Sequence, residues 1–112
     1  MPVAVIFTST RTPGFDQEYA AMAAEMDALA AAQPGYLGHE SARGADGFGI
    51  TVSYWTDDTA ARAWKWVTRH LEAQRLGREQ WYGAYRVVVA EVTRDYEFNA
   101  SNFEPHAPRP AP

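Results

Sequence analysis

The 112-residue chain predicts a single α+β domain with the ferredoxin-like order β-α-β-β-α-β, an antiparallel sheet carrying both helices on one face. Three observations carry that reading. Runs of strand period and helix period succeed one another along the chain. Pro-Gly and Gly-rich turns punctuate them at Pro34-Gly35 and at Gly44 to Gly47. The last strand is apolar on both of its faces.

Pro2 to Thr10, PVAVIFTST, reads as the first strand from its β-branched and aromatic content, and Thr12-Pro13-Gly14 ends it. A helix is predicted from about Phe15 to Ala32, with Tyr19, Met22, Met26 and Leu29 on one stripe. Pro34 cannot continue a helix and Gly35 tolerates the left-handed cap, so the helix stops there. Tyr36 to Arg43 is a weaker strand. Phe48 to Trp55 alternates, with Phe48, Ile50, Val52 and Tyr54 on one side and Thr51, Ser53 and Trp55 on the other. Thr56 or Asp57 can cap a second helix whose stripe is Ala60, Ala63, Trp64, Val67 and Leu71, with a bend expected before HLEAQRLGR. Tyr85 to Phe98 is expected to be a long final strand. In it Val87 and Val89 oppose Val88, Ala90 and Val92, and two helices can cover only one face. An apolar second face in water invites aggregation, so back-to-back packing of two sheets in a homodimer is expected.

Residues 1–99 therefore form the domain, and residues 100–112 a Pro-rich tail, four of whose last eight residues are proline, expected to be extended or disordered. The apolar fraction of 46% and charged fraction of 21% are those of a soluble globular protein. With no cysteine, disulfides, thiolate metal sites and a cysteine nucleophile are excluded. No apolar run reaches the roughly 20 residues of a membrane helix, and a cytoplasmic location is expected. A net charge of −4 argues against a nucleic-acid partner. Arg62, Lys65 and Arg69 share one helix side, which reads as a solvated face.

Residues 53–85 hold all four tryptophans, three of the six tyrosines and one of the three histidines. Each large ring buries roughly 150–250 Å² and requires a core or a ligand to cover it. His70 lies about 80° from the centre of the second helix's stripe, where a neutral imidazole can serve as a base at a pocket edge. The competing reading is a histidine bonded to a backbone carbonyl. Trp55, Trp64, Trp66 and Trp81 can wall an aromatic-ligand site or fill the core and a dimer interface, Trp64 being the most core-like. Tyr54, Tyr82, Tyr85 and Arg86 can hydrogen-bond a phenol or quinone oxygen, although Arg86 in an apolar strand also suits a salt bridge across a dimer. His39, His70 and His106 show no metal-ligand spacing, and no glycine-rich phosphate loop opens a helix, so no metal or nucleotide cofactor is expected.

The strand end SYW, a polar turn, and then AW…H…AQ..GR..WY..Y resemble the antibiotic-biosynthesis monooxygenase-like (ABM) family, over about Val3 to Phe98. The resemblance implies a dimeric α/β barrel. It implies cofactor-independent oxidation of a small aromatic or quinol-type substrate by dioxygen, in a dry pocket between helices and sheet. There the deprotonated substrate itself gives an electron to oxygen, and the protein supplies a base and hydrogen bonds to the phenolate. On that reading His70 transfers the proton, with Trp66 and Trp64 as walls and Tyr54 and Arg86 as polar contacts; Trp81 is a further candidate for substrate contact. A non-catalytic or stress-related module that binds a small molecule is the alternative. The family also holds haem-degrading members. Trp64 matches their tryptophan, but Gln74 stands where their histidine is expected and Thr8, Ser9 and Thr10 where an asparagine is, which argues against haem.

Overall fold

The computed structural model describes residues 1–14, 16–74 and 82–100, and of Asp16, Glu18, residues 69–74 and Tyr82 the backbone alone. The order is β1 (Val3–Arg11), α1 (Asp16–Ala31), β2 (Tyr36–Arg43), β3 (Phe48–Trp55), α2 (Asp58–Gln74) and β4 (Tyr82–Glu91). The four strands form one antiparallel sheet in the order β2-β3-β1-β4. This is the ferredoxin-like fold expected from the sequence: β1 and β2 lie parallel with β3 between them, β3 and β4 parallel with β1 between them, and a helix makes each crossover.

The core forms where the helices meet the end of the sheet at Val3 and Trp55, which pair directly across β1 and β3. Trp55 is fully buried, and Trp64 of α2 stacks on it with ring centroids 5.7 Å apart. Tyr36 closes on Trp55 edge-to-face at 5.7 Å. The Trp55 indole N–H donates to Ser53 Oγ at 2.9 Å, so its polar handle is satisfied inside the core. Met22 and Ala30 bring α1 down beside this cluster, with Met26 and Leu29 packed against it.

Three local features differ from the sequence expectation, while the expected cap of the second helix is found. Ala61 is buried and Ala63 is exposed, because Ala61 lies one turn from Trp64 whereas Ala63 is about 100° away round the helix. The second helix runs through Gln74 without ending at His70. Its cap is Asp57, whose Oδ1 accepts from the Ala60 N–H at 2.8 Å. The final strand begins at Tyr82 and ends at Glu91 rather than spanning 85–98, because its neighbour β1 offers partners only from Val3 to Arg11 and the next bond, Val92 N–H to the Pro2 carbonyl at 2.9 Å, lies at the last residue before that strand. The tail from Ser101 onward lies outside the described residues.

Gly35 joins α1 to β2 at φ +83°, a conformation that glycine adopts without the strain a Cβ brings. A Cβ there would stand 2.6 Å from the Ala60 Cβ and 2.7 Å from Thr56 Oγ1, so α2 packs against bare backbone.

Candidate functional site

Strand alternation and register divide the site residues between two faces. Val3, Val5, Phe7 and Ser9 of β1 share the helix side with Trp55, Ser53, Thr51 and Gly49 of β3, and with Glu91, Val89, Val87 and Tyr85 of β4. Ala4, Ile6 and Thr8 share the opposite side with Tyr54, Val52, Ile50, Val88 and Arg86. The helices pack over β1, β2 and β3, which leaves Tyr85, Val87 and Val89 exposed on the helix side at the β4 edge. Phe7 and Tyr85 meet there with centroids 5.7 Å apart. An aromatic strip thus runs along the helix side of the sheet, at the far end from Trp55.

At that far end four residues stand side by side across the sheet: Arg43, Gly49, Ser9 and Tyr85. The Arg43 guanidinium folds back over Gly49, so that a Cβ at that position would lie 2.6 Å from its central carbon. Arg43 Nη1 donates to the Gly47 carbonyl at 2.8 Å, and Nη2 donates to the Tyr19 hydroxyl of α1. The Tyr19 ring receives two guanidiniums, Arg43 at 4.3 Å and Arg11 at 4.7 Å from its centroid. Arg43 has no carboxylate partner among the described residues, and Asp46 in the adjoining turn is engaged by the Phe48 N–H at 3.1 Å. Ser9 is 2% exposed, and its hydroxyl has no hydrogen-bond partner among the described residues. An unmet buried hydroxyl costs about 1–3 kcal/mol, which marks the spot as one that a ligand or water would satisfy.

Residues 2–76 match the family model described as antibiotic biosynthesis monooxygenase. The chain belongs to that family. It is 48% identical over 95 residues to the uncharacterized protein YqjZ of Bacillus subtilis (strain 168), covering 85% of this chain and 82% of the relative. Among solved structures, Rv0793 from Mycobacterium tuberculosis superimposes with a TM-score of 0.72 at 17% identity, over 87% of this chain and all of that one (100%). SnoaB, a cofactor-independent oxygenase from Streptomyces nogalater, superimposes with a TM-score of 0.67 at 21% identity, over 84% of this chain and 95% of its own. At these identities the two structures establish the fold.

Within this family fold Trp64, Trp66, Tyr54 and Arg86 are placed on different sides of the sheet and of α2. Trp64 is 9% exposed and belongs to the core with Trp55. Trp66 is 71% exposed, on the flank of α2 turned away from the sheet. Tyr54 and Arg86 lie on the side of the sheet away from the helices, because they alternate with Trp55 and Tyr85. Tyr54 donates to Glu40 Oε1 at 3.4 Å. Burial first, then the Glu40 charge and that hydrogen bond, then Asp95, raise its pKa above the ordinary tyrosine value, so it stays protonated at neutral pH. Trp81 and the side chain of His70 lie outside the described residues. The backbone of α2 nonetheless starts beside Trp55 and returns along the sheet, carrying position 70 towards the Arg43 end.

The row at Arg43 is not visible in the sequence because its members come from all four strands, and only register brings them together. The available signal was a glycine within β3 and an arginine closing β2. A second polar chain was also missed. Tyr36 OH and His39 Nδ1 are 2.5 Å apart, and His39 Nε2 lies 3.4 Å from Asp27 Oδ1 of α1. The carboxylate favours the tautomer protonated at Nε2, leaving Nδ1 to accept from Tyr36. A shift of register between Tyr36 and Gly38 puts these residues, three apart in a strand, on one face; Gly38 has φ +147° there. That chain sits at the opposite end of β2 from Arg43. No group of three or more metal-ligating side chains occurs among the described residues. Among the described residues no helix is long and apolar enough to cross a membrane.

Proposed function

We propose that this protein is a cofactor-independent monooxygenase that oxidises a small aromatic, quinol-type substrate with dioxygen on the helix side of the sheet. Family membership supports the reaction class, and the Phe7–Tyr85 aromatic strip ending at Arg43 and Ser9 is the observation that carries the placement. SnoaB, described as a cofactor-independent oxygenase, shares the fold. Flat apolar rings hold an aromatic substrate and exclude water from it, while a base removes the phenolic proton. The resulting phenolate is electron-rich enough to reduce dioxygen. One oxygen atom replaces a ring C–H as a carbonyl, and the other leaves as water with the C–H and phenolic protons; all four electrons that dioxygen takes up come from the substrate. His70 is the proposed proton acceptor, since α2 carries it towards this end of the sheet.

The opposite side of the sheet supports a homodimer. Phe48 and Ile50 are exposed there, with Ile6, Val52 and Val88 half-buried, and a second sheet packed on them would remove this surface from water. Tyr54 and Arg86 would then lie at the interface rather than against substrate.

Oxygen uptake with a panel of anthrols and naphthoquinols tests the reaction. Uptake above the uncatalysed background, abolished in His70→Ala, is expected. Background rates with every substrate, together with ligand-dependent stabilisation, would instead support a binding module without turnover.

A further inference from the structure

We propose that Arg43, Ser9 and Tyr19 form an oxyanion-binding subsite, which selects aromatic substrates carrying an ionised oxygen. The inference rests on the helix-side placement of the substrate proposed above. Three independent features converge on it. Arg43 is half-buried and has no carboxylate partner among the described residues; its fork is held open by Gly47 and Tyr19. The absence of a side chain at Gly49 lets the guanidinium lie on the sheet, where any Cβ would collide with it. Directly opposite Gly49 in register stands Ser9, with its buried hydroxyl unpartnered among the described residues. Neighbours paired in register have Cβ atoms about 5 Å apart, so the guanidinium occupying the Gly49 position lies beside the Ser9 hydroxyl.

The groups are chemically matched to an oxyanion. A guanidinium presents charged donors in a plane and a serine adds a neutral donor, while the Tyr19 hydroxyl, which accepts from Arg43, holds the guanidinium in place. Arg11 stands over the same Tyr19 ring, 4.7 Å from its centroid. Tyr85, next in the row after Ser9, and Phe7 beside it offer ring surface on the side away from Arg43. An aromatic ring lying on Phe7 and Tyr85 therefore directs an attached phenolate or carboxylate at Ser9 and Arg43.

Calorimetric binding of 2-naphthoate and of uncharged 2-naphthalenemethanol to the full chain tests the subsite without any turnover. The wild type is expected to bind the carboxylate about ten-fold or more tighter, as charge-assisted hydrogen bonds require. Arg43→Met is expected to bring the two affinities together by weakening the carboxylate alone. Ser9→Ala is expected to weaken naphthoate several-fold without lowering the melting temperature. Preservation of the uncharged ligand's affinity shows that each variant is folded, and Arg43→Lys, keeping charge without the fork, is expected to fall between. Equal affinities in the wild type, no binding of naphthoate, or an undiminished preference in Arg43→Met would overturn the subsite. A phenolic source of the anion is distinguished by 2-naphthol, whose affinity should rise as the solution pH passes its own ionisation only when Arg43 is present. Loss of carboxylate preference with oxygen uptake intact would sink the subsite and spare the oxygenase reading. Carboxylate preference without any uptake would do the reverse.

Discussion

Trp64 of α2 stacks on Trp55 of β3 with centroids 5.7 Å apart and ring planes 27° from parallel, and this contact anchors the second crossover to the sheet. The pair makes the core at one end of the molecule, so Trp55 and Trp64 serve stability there rather than ligand binding. Trp55→Ala is expected to lower stability by about 3–5 kcal/mol, the usual cost of emptying a buried ring site. Trp66→Ala, at an exposed position, is expected to stay within about 0.5 kcal/mol. Urea unfolding of both variants checks the contrast; similar losses would show that Trp66 is a core residue.

Gly35→Ala combines a positive φ with a Cβ 2.6 Å from that of Ala60. Strain and overpacking together are expected to cost about 2–4 kcal/mol. Because Gly35 also accepts the Thr56 N–H at 2.9 Å, the turn cannot move away freely. An unchanged denaturation midpoint would contradict the tight approach of α2 to this turn.

Strand and helix order was legible because the polarity pattern is set locally. The alternation of Phe48 to Trp55 placed that strand's ends and assigned Tyr54 and Trp55 to opposite faces. The consequence for the site follows from the same alternation: Tyr54 and Arg86 cannot face a pocket that Trp64 closes from the helix side. The end of β4 was not legible, because a strand stops where its neighbour stops, and the length of β1 is not written in residues 92–98. The Arg43 row was equally hidden, since it depends on the register of four strands. The Tyr36–His39 chain depends on a bulge, which shifts the period of two by one residue.

Tyr54 gives a pH signature. Its folded pKa is raised above the unfolded value near 10, so the neutral phenol is favoured in the folded state. The contribution to stability is complete below the unfolded pKa and is lost as pH rises through the higher folded value. Tyr54→Phe is expected to remove this step from an alkaline unfolding profile while leaving other alkaline transitions. An identical profile in the variant would show that Tyr54 is not shielded by burial or Glu40.

The sheet face bearing Phe48, Ile50 and Val88 is expected to close on a second copy. Sedimentation of the wild type should give a dimer, and Ile50→Lys, placing a charge in that face, should shift it to monomer at micromolar concentration. A monomeric wild type, or a dimer indifferent to Ile50→Lys, would move the interface elsewhere.

This chain is proposed to spend dioxygen on an aromatic substrate with no bound cofactor. The most direct measurement is mass analysis of the product formed from an anthrol under isotopically heavy dioxygen, using protein stripped with a chelator and free of flavin. One heavy oxygen atom per product molecule, at a rate proportional to protein and abolished in His70→Ala, is the predicted result. Product carrying no heavy oxygen, or labelled equally fast without protein, would contradict the account.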